Sequence, residues 1–262
     1  MSGLQLVNET FSNAKKRARL MPYFPVGYPD LAMSINVMEA IARAGADAIE
    51  VGVPFSDPLA DGPTIQAATQ IALENGTTLR ICIKAVEELR QRGVTIPLIL
   101  MSYVNPIMAY GLEAFVSDAT QAGTSGFIVP DLPADEADEF QKLTEKYGAA
   151  FAHFLAPTSN ESRIKLAASR ARGFIYLISV TGVTGERDIV PADLKEFVQR
   201  VRRVASQPLA VGFGIGTPEK ARAIGEIADG VIIGSRYISL VKEGGLDAVV
   251  KFTRDVRESL EK

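Results

Sequence analysis

The chain repeats one pattern eight times, a short apolar run followed by a stretch of helical length. The apolar runs do not alternate apolar with polar residues, which is typical of parallel strands that are covered on both faces. Connections of helical length between such strands place helices on the faces of the sheet. Strands are predicted at 20–26, 47–53, 97–103, 126–130, 149–155, 174–180, 208–213 and 230–233.

This alternation predicts an α/β protein of the (β/α)8 barrel class, the TIM barrel, as a single domain over residues 1–262. An extra amphipathic helix is predicted over residues 1–19, with a basic C-terminal end that suits the helix dipole. A doubly wound open sheet would show the same alternation, because sequence alone does not close a barrel. Further helices are predicted at 31–44, 64–73, 79–92, 112–122, 134–147, 161–171, 192–204, 218–227, 235–240 and 246–260.

Charge and composition exclude several kinds of partner. The net charge is −3 and neither sign forms long blocks, so no footprint for nucleic acid or an anionic membrane is present. The single cysteine, Cys82, allows no internal disulfide, and the single histidine, His153, allows no multi-histidine metal site. No apolar run reaches membrane-spanning length, and a cytoplasmic enzyme without a metal is expected.

Three carboxylates lie in the short stretch at 48–62. Glu50 sits inside an apolar strand, where burial favours the neutral acid and should raise its pKa. Asp57 and Asp61 follow in a loop rich in proline and glycine, where a wetter environment should keep them ionised. Two carboxyls whose pKa values are pushed apart let one donate a proton while the other stabilises positive charge.

Three glycine-rich stretches predict a phosphate site. Gly182 and Gly185 follow the sixth strand, the run at 212–216 follows the seventh, and Gly234 with Ser235 follows the eighth and opens a helix. Glycines let backbone N–H groups approach an anion, and the loops after strands seven and eight are the recurrent phosphate site of this barrel. The long loop at 181–191 is expected to close over substrate as a lid.

Other polar side chains are predicted at the ends of strands. Tyr103 ends the third strand, Asp131 follows the fourth and Tyr176 lies in the sixth. Taken singly, each tyrosine is better explained as a core residue, and Asp131 as the cap of the helix that follows it.

The stretch from Glu50 to Pro63, read with the segments at 25–30, 103–106, 176–185, 212–215 and 234–235, resembles the tryptophan synthase alpha subunit family over essentially the whole chain. The resemblance implies a (β/α)8 lyase that cleaves indole-3-glycerol phosphate to indole and glyceraldehyde 3-phosphate. It makes Glu50 the acid and Asp61 the second carboxylate, with Tyr176 as a further catalytic candidate. Expected substrate and phosphate contacts are Tyr23, Met101, Tyr103, Ile128, Thr184, Gly185, Phe213, Gly214, Gly234 and Ser235.

The same resemblance implies a beta subunit that carries pyridoxal phosphate, in an alpha2beta2 heterotetramer, while this chain itself takes no cofactor. Pro54, Asp57, Pro58 and Asn105 are then expected at the interface. Val180 and Glu186 depart from the residues that many relatives have on either side of the Gly-Val-Thr-Gly segment of this lid.

Three alternatives stay open at this point. A stand-alone lyase of the same lineage would release indole without a beta subunit. A sugar-phosphate isomerase barrel would share the phosphate site, and would lack the apolar wall expected from Tyr23, Met101 and Ile128. A non-catalytic binding barrel would have no need of Glu50 together with Asp61.

Overall fold

A computed structural model describes residues 1–12, 18–178, 192–212 and 214–262. Within these residues eight parallel strands pair in chain order, and β8 pairs with β1 as well as with β7, which closes the barrel. The strands are β1 (Arg19–Pro25), β2 (Ile49–Gly52), β3 (Leu98–Met101), β4 (Gly126–Ile128), β5 (Ala150–Leu155), β6 (Ile175–Ile178), β7 (Leu209–Gly212) and β8 (Gly230–Ile233).

Helices follow the strands and form the outer layer. The predicted (β/α)8 barrel is confirmed, since the closing β1–β8 ladder runs from Arg19 opposite Gly230 to Pro22 opposite Ile233. No described helix is both long enough and apolar enough to cross a membrane. The described helices are α1 (Gly3–Ser12), α2 (Leu31–Arg43), α3 (Pro63–Glu74), α4 (Leu79–Gln91), α5 (Val104–Tyr110), α6 (Leu112–Gln121), α7 (Asp138–Lys146), α8 (Glu161–Arg170), α9 (Ala192–Arg202), α10 (Pro218–Gly225) and α11 (Ser235–Glu261).

The N-terminal helix α1 packs against the inner core of the barrel. Val7 is buried there, and the rings of Phe11 and Phe174 lie 5.6 Å apart. The predicted helix over residues 1–19 is too long, because α1 ends at Ser12 and Arg19 begins β1. Arg19 nevertheless donates to the carbonyl oxygen atoms of Thr10 (2.6 Å) and Phe11 (2.9 Å), so a basic side chain does satisfy this helix end.

Helix α5 was not predicted from the sequence. Its first residues include the Asn105–Pro106 pair, which is typical of turns, and it ends at Tyr110, followed by the C-cap residue Gly111, whose φ is 99°. The carboxylate of Asp131 accepts the Val104 N–H, at 3.0 Å to Oδ1 and 3.2 Å to Oδ2. Asp131 therefore caps α5 in the neighbouring unit, and the prediction that it caps the helix following it is wrong.

Three other predicted helices differ in detail. Helix α7 starts at Asp138, four residues later than expected, because turns occupy the segment from Val129 to Glu136. The two predicted C-terminal helices are continuous in α11 except at Gly245, where φ is 63° and ψ is −151°. The short first part of α11 thereby reaches the carboxyl ends of the strands, while the long second part packs on the outside of the barrel.

Candidate active site

A cavity of about 350 Å³ opens at the carboxyl ends of the strands. Its volume lies within the range of small-molecule sites in proteins, and its position is that of the active sites of (β/α)8 enzymes. The cavity is lined by Tyr23, Glu50, Ala60, Asp61, Gly62, Ile65, Met101, Phe154, Tyr176, Ile178, Gly214, Ile215, Gly216, Ile232, Gly234, Ser235, Arg236 and Ser239.

Glu50 contributes a carboxyl that lies almost wholly out of solvent. It stands on β2 opposite Tyr23 of β1 and Ile99 of β3, and it is 1% exposed. Among the described residues, no group hydrogen-bonds its Oε1 atom. Burial, and to a smaller extent the charge of Asp61, raises the pKa of Glu50 well above its ordinary value, as the sequence predicted. A neutral carboxyl facing a cavity is equipped to donate a proton.

Asp61 lies in the loop between β2 and α3, which folds over the cavity more closely than the sequence suggested. Burial raises its pKa to about 6, and hydrogen bonding from the neighbouring Tyr103 hydroxyl partly offsets this rise. Asp61 is half-buried and thus more exposed than Glu50, as expected, but the effect of burial on its pKa was not anticipated. With a pKa of about 6, roughly nine in ten copies of Asp61 are still ionised at pH 7.

Tyr103 is placed behind this loop. The Ala60 N–H donates to its hydroxyl oxygen at 3.1 Å, and the ring of Phe55 lies 5.3 Å from its ring. Tyr103 is 2% exposed and is not among the residues that line the cavity, and its direct contact with substrate stays a prediction. Its contacts fix the loop that carries Asp61.

Aromatic rings form two walls of the cavity. Tyr176 of β6 stacks on Phe154 of β5, with ring centroids 4.5 Å apart and 27° between the planes. Burial and the nearby charges of Glu50 and Asp61 raise the pKa of Tyr176 well above its ordinary value, so its hydroxyl stays protonated. Tyr23 stands on β1, and burial together with the charge of Asp61 raises its pKa in the same way.

Two glycines make room for these tyrosines. A Cβ atom at Gly52 would lie 2.4 Å from the hydroxyl oxygen of Tyr23, and one at Gly212 would lie 2.3 Å from that of Tyr176. Neither φ is left-handed, so the requirement for glycine at both positions is steric. Each phenol can lie across the end of the neighbouring strand only because that strand has no side chain there.

The other end of the cavity has the features of an anion site. Gly214 has a φ of 71°, and Ser235 opens α11 directly after Gly234. The first turn of a helix leaves N–H groups without partners in the helix, and its dipole favours negative charge. A Cβ at Gly234 would stand 3.2 Å from Tyr23 Cδ1, a tight contact that glycine avoids.

The remaining predicted contacts divide into two groups. Met101 lines the cavity as expected, whereas Ile128 does not. Ile128 pairs with Ala152 on β5 and packs in the same inner core cluster as Ile232, while Phe154, further along β5, lines the cavity. The substrate contact expected of Ile128 stays a prediction. The expected contacts of Thr184, Gly185 and Phe213, the departures at Val180 and Glu186, and the lid at 181–191 lie outside the described residues.

Several lining residues were missed from the sequence. Strands buried on both faces give no alternation to show which side chains point inward, so Phe154, Ile178 and Ile232 carried no signal. Ile65 could have been found from its place in the first turn after the carboxylate loop. Arg236 offered a clearer signal, since a basic residue in the first turn of a helix opposes the dipole.

The residues expected to face a partner are only in part at the surface. Asp57 and Asn105 are exposed and Pro58 is half-buried, while Pro54 is buried within the chain itself. The Ser56 hydroxyl donates to Asp57 Oδ2 at 2.6 Å. Leu59 is 89% exposed and Met108 60% exposed, on the loop and on α5 respectively, which leaves apolar surface beside the cavity.

A closed (β/α)8 barrel with a buried neutral carboxyl, an ionisable aspartate and an anion site at the carboxyl ends of its strands defines an enzyme of proton-transfer chemistry on a phosphorylated substrate. The profile of the tryptophan synthase alpha chain family matches residues 11–261. The chain belongs to the tryptophan synthase alpha chain family.

Curated relatives and solved structures agree with this assignment. The chain is 48% identical to the tryptophan synthase alpha chain of Dehalococcoides mccartyi over 94% of this chain and 97% of that one. It is 45% identical to the alpha chain of Chloroflexus aurantiacus over 88% of each.

Among solved structures, tryptophan synthase from Mycobacterium tuberculosis superposes with a TM-score of 0.91 at 37% identity, covering 100% of this chain and 99% of that one. The tryptophan synthase subunit alpha of Legionella pneumophila gives 0.90 at 32% identity, covering 99% and 98%. The chain is therefore a lyase of tryptophan biosynthesis that acts on indole-3-glycerol phosphate.

Proposed function

We propose that Glu50 and Asp61 are the acid and the charge-stabilising group in the cleavage of indole-3-glycerol phosphate. The observation that supports this best is the buried, neutral carboxyl of Glu50, which faces the same cavity as Asp61 and has an oxygen with no partner among the described residues. Because burial raises the pKa of Glu50 well above its ordinary value while Asp61 ionises near pH 6, the two roles go to different residues.

In the proposed mechanism Glu50 protonates carbon 3 of the indole ring, which removes aromaticity and places positive charge on the ring nitrogen. Ionised Asp61 accepts the hydrogen bond of the ring N–H and stabilises this charge as it develops. Loss of the proton from the glycerol hydroxyl next to the scissile bond forms the aldehyde. The electrons of the broken carbon–carbon bond return to the ring and restore indole.

Glu50 is the better candidate for removing the hydroxyl proton. After donation it is a carboxylate in an environment that favours its protonated form, so it takes a proton readily. Tyr176 would have to become a phenolate beside two carboxyls, which its raised pKa disfavours. We therefore propose that Tyr176 acts in its protonated form as a wall and hydrogen-bond donor.

We propose one orientation for the substrate in this cavity. The indole ring would lie between Tyr23, Met101 and the stacked pair Phe154–Tyr176, and the phosphate would lie at Gly214, Gly234 and Ser235. This places the charged group at the helix N-terminus and the ring near the two carboxyls.

We further propose that the chain works beside a beta subunit in an alpha2beta2 assembly, in the cytoplasm, that pyridoxal phosphate belongs to that subunit, and that this chain takes no cofactor of its own. Leu59 and Asp57 on the loop after β2, and Met108 and Asn105 on α5, are exposed and would contribute a mixed apolar and polar surface to the interface. Indole leaving the cavity on this face would enter the partner directly.

The test is release of indole from indole-3-glycerol phosphate by the purified chain, with and without added beta subunit. Glu50→Gln and Asp61→Asn should each lower kcat by roughly 10²- to 10⁴-fold while inorganic phosphate still binds. Cleavage by either variant at the wild-type rate would contradict the assignment. Activation by the beta subunit is expected, and a chain indifferent to it would be a stand-alone lyase.

A further inference from the structure

Arg236 is a charged side chain at the cavity that the mechanism above does not use. It lies in the first turn of α11, directly after Ser235. Of the described residues that line the cavity it is the one with a positive charge, whereas Glu50 and Asp61 are acidic. A cation in this turn opposes the helix dipole, so the position is unfavourable unless an anion binds close by.

The guanidinium group of Arg236 is drawn away from the helix N-terminus in the structure. Its Nη1 atom lies 3.1 Å from Glu243 Oε1 and 2.9 Å from Oε2, and the group is 5.9 Å from the ring centre of Phe252. Glu243 stands about two turns further along the helix. Helical side chains ordinarily lean toward the N-terminus, so Arg236 is held in the less usual direction.

The contact with Glu243 is a weak restraint. The side chains of Arg236 and Glu243 are 34% and 55% exposed, and ion pairs this open to solvent contribute little because water screens them. A phosphate dianion carries more charge than a carboxylate and matches the two parallel N–H groups of a guanidinium. When a phosphate and Glu243 are both within reach, the guanidinium of Arg236 should therefore bind the phosphate in preference.

We propose that Arg236 is a mobile ligand of the substrate's phosphate, held by Glu243 in the structure and turning toward Gly234 and Ser235 when the phosphate binds there. This inference rests on the proposed function, because it assigns the phosphate to that end of the cavity. It makes Arg236 a determinant of substrate affinity, and it makes Glu243 a competitor that weakens binding.

The experiment measures binding of inorganic phosphate and of glyceraldehyde 3-phosphate to the full chain by calorimetry, together with KM and kcat for cleavage. Arg236→Ala should raise both dissociation constants and KM about tenfold and leave kcat nearly unchanged. Arg236→Lys should fall between, since an ammonium group cannot bind in the bidentate way. Glu243→Gln should tighten phosphate binding roughly two- to threefold, and this gain should vanish in the double variant with Arg236→Ala.

Matched control variants distinguish a direct contact between Arg236 and phosphate from a general effect of charge on the helix. Lys242→Ala removes the same charge from the same helix at an exposed position, and Asp247→Asn neutralises an exposed acid close to Glu243 in sequence. Phosphate affinity in Arg236→Ala that stays within twofold of the wild type, or that matches Lys242→Ala, would overturn the proposal. A wild-type chain that fails to cleave indole-3-glycerol phosphate would refute the proposed function instead, and the phosphate titrations would still decide the role of Arg236.

Discussion

The buried carboxyl of Glu50, which the proposed reaction requires, lowers the stability of the fold. In the folded chain burial raises its pKa, whereas in the unfolded chain the group titrates near pH 4. Below about pH 4 the side chain is protonated in both states and costs nothing. As the pH rises, the unfolded chain releases the proton while the folded chain keeps it, so the stability of the fold falls.

Glu50→Gln should therefore be more stable than the wild type at pH 8 and nearly equal to it at pH 4, because glutamine stays neutral at both. Urea denaturation at the two pH values measures the difference in the free energy of unfolding. The same variant should have lost its activity, so the gain in stability and the loss of turnover come from one carboxyl. A difference in stability that does not grow with pH would contradict the buried neutral acid.

Tyr103 illustrates a residue that acts through its neighbour. Activity requires ionised Asp61, so kcat/KM should rise with pH through about 6, the pKa of that carboxyl. Because the Tyr103 hydroxyl holds this pKa below the value that burial alone would give, Tyr103→Phe should move the rise to higher pH. Profiles of kcat/KM between pH 5 and 9 measure the shift. A lower activity with an unmoved profile would mean that Tyr103 only packs, and Asp61→Asn, which has no carboxyl to titrate, is the control.

At the scale of helices and strands, the sequence predicts those elements that have a local pattern of apolar residues. All eight strands were found within a few residues, and so was the order in which helices follow them. Glu50 and Asp61 were found together because one short segment carries both. Helix α5 was missed because the cap of its N-terminus comes from Asp131, which follows β4 in the next β/α unit. Asp131 can accept the Val104 N–H only once β3 and β4 are paired.

The failure to predict Phe154, alongside Ile128, has a similar cause. Both are apolar and both lie in strands that are covered on two faces, so sequence does not order them along the barrel axis. The register of strand pairing orders them along this axis, because Ile128 pairs with Ala152 and β5 continues to Leu155. How far a side chain lies from the cavity mouth therefore depends on the pairing between strands, which cannot be inferred from any single segment of the sequence.

The cap on α5 can be tested directly. Asp131→Ala should destabilise the first turn of α5 by about 1 kcal/mol, seen as faster hydrogen exchange of the amides from Val104 onward. Since α5 directly follows Tyr103 and presents Asn105 and Met108, activation by the beta subunit should weaken as well. Asp131→Asn keeps an acceptor oxygen and should lose less. Unchanged exchange in the alanine variant would show that the helix does not depend on this contact.

Over the whole molecule, the two ends of the barrel have separate tasks. The carboxyl ends of the strands hold the cavity, and the opposite end holds a buried ion pair between Arg257 of α11 and Asp47, which precedes β2. Arg257 Nη1 lies 2.5 Å from Asp47 Oδ2, and Nη2 donates to the Ala18 carbonyl at 3.2 Å. Asp47 Oδ2 also accepts the Leu20 N–H at 2.9 Å. The C-terminal helix is thereby fastened to the start of the first two strands.

Removing one partner of such a pair leaves a buried carboxylate with less compensation, so Arg257→Met should lower the free energy of unfolding by roughly 3 kcal/mol. Arg254→Met replaces an arginine of the same helix at an exposed position, and it should change stability by less than about 0.5 kcal/mol.

The ion pair lies at the end of the barrel away from the cavity, and in this fold that end serves stability while the other carries the active site. The kcat and KM of the folded Arg257→Met chain at 20 °C should therefore stay close to those of the wild type. Urea denaturation and steady-state kinetics on the two variants check both halves. Equal stability losses would show that the buried ion pair of Arg257 does not stabilise the fold, and a lost kcat at full folding would show that the two ends of the barrel are coupled.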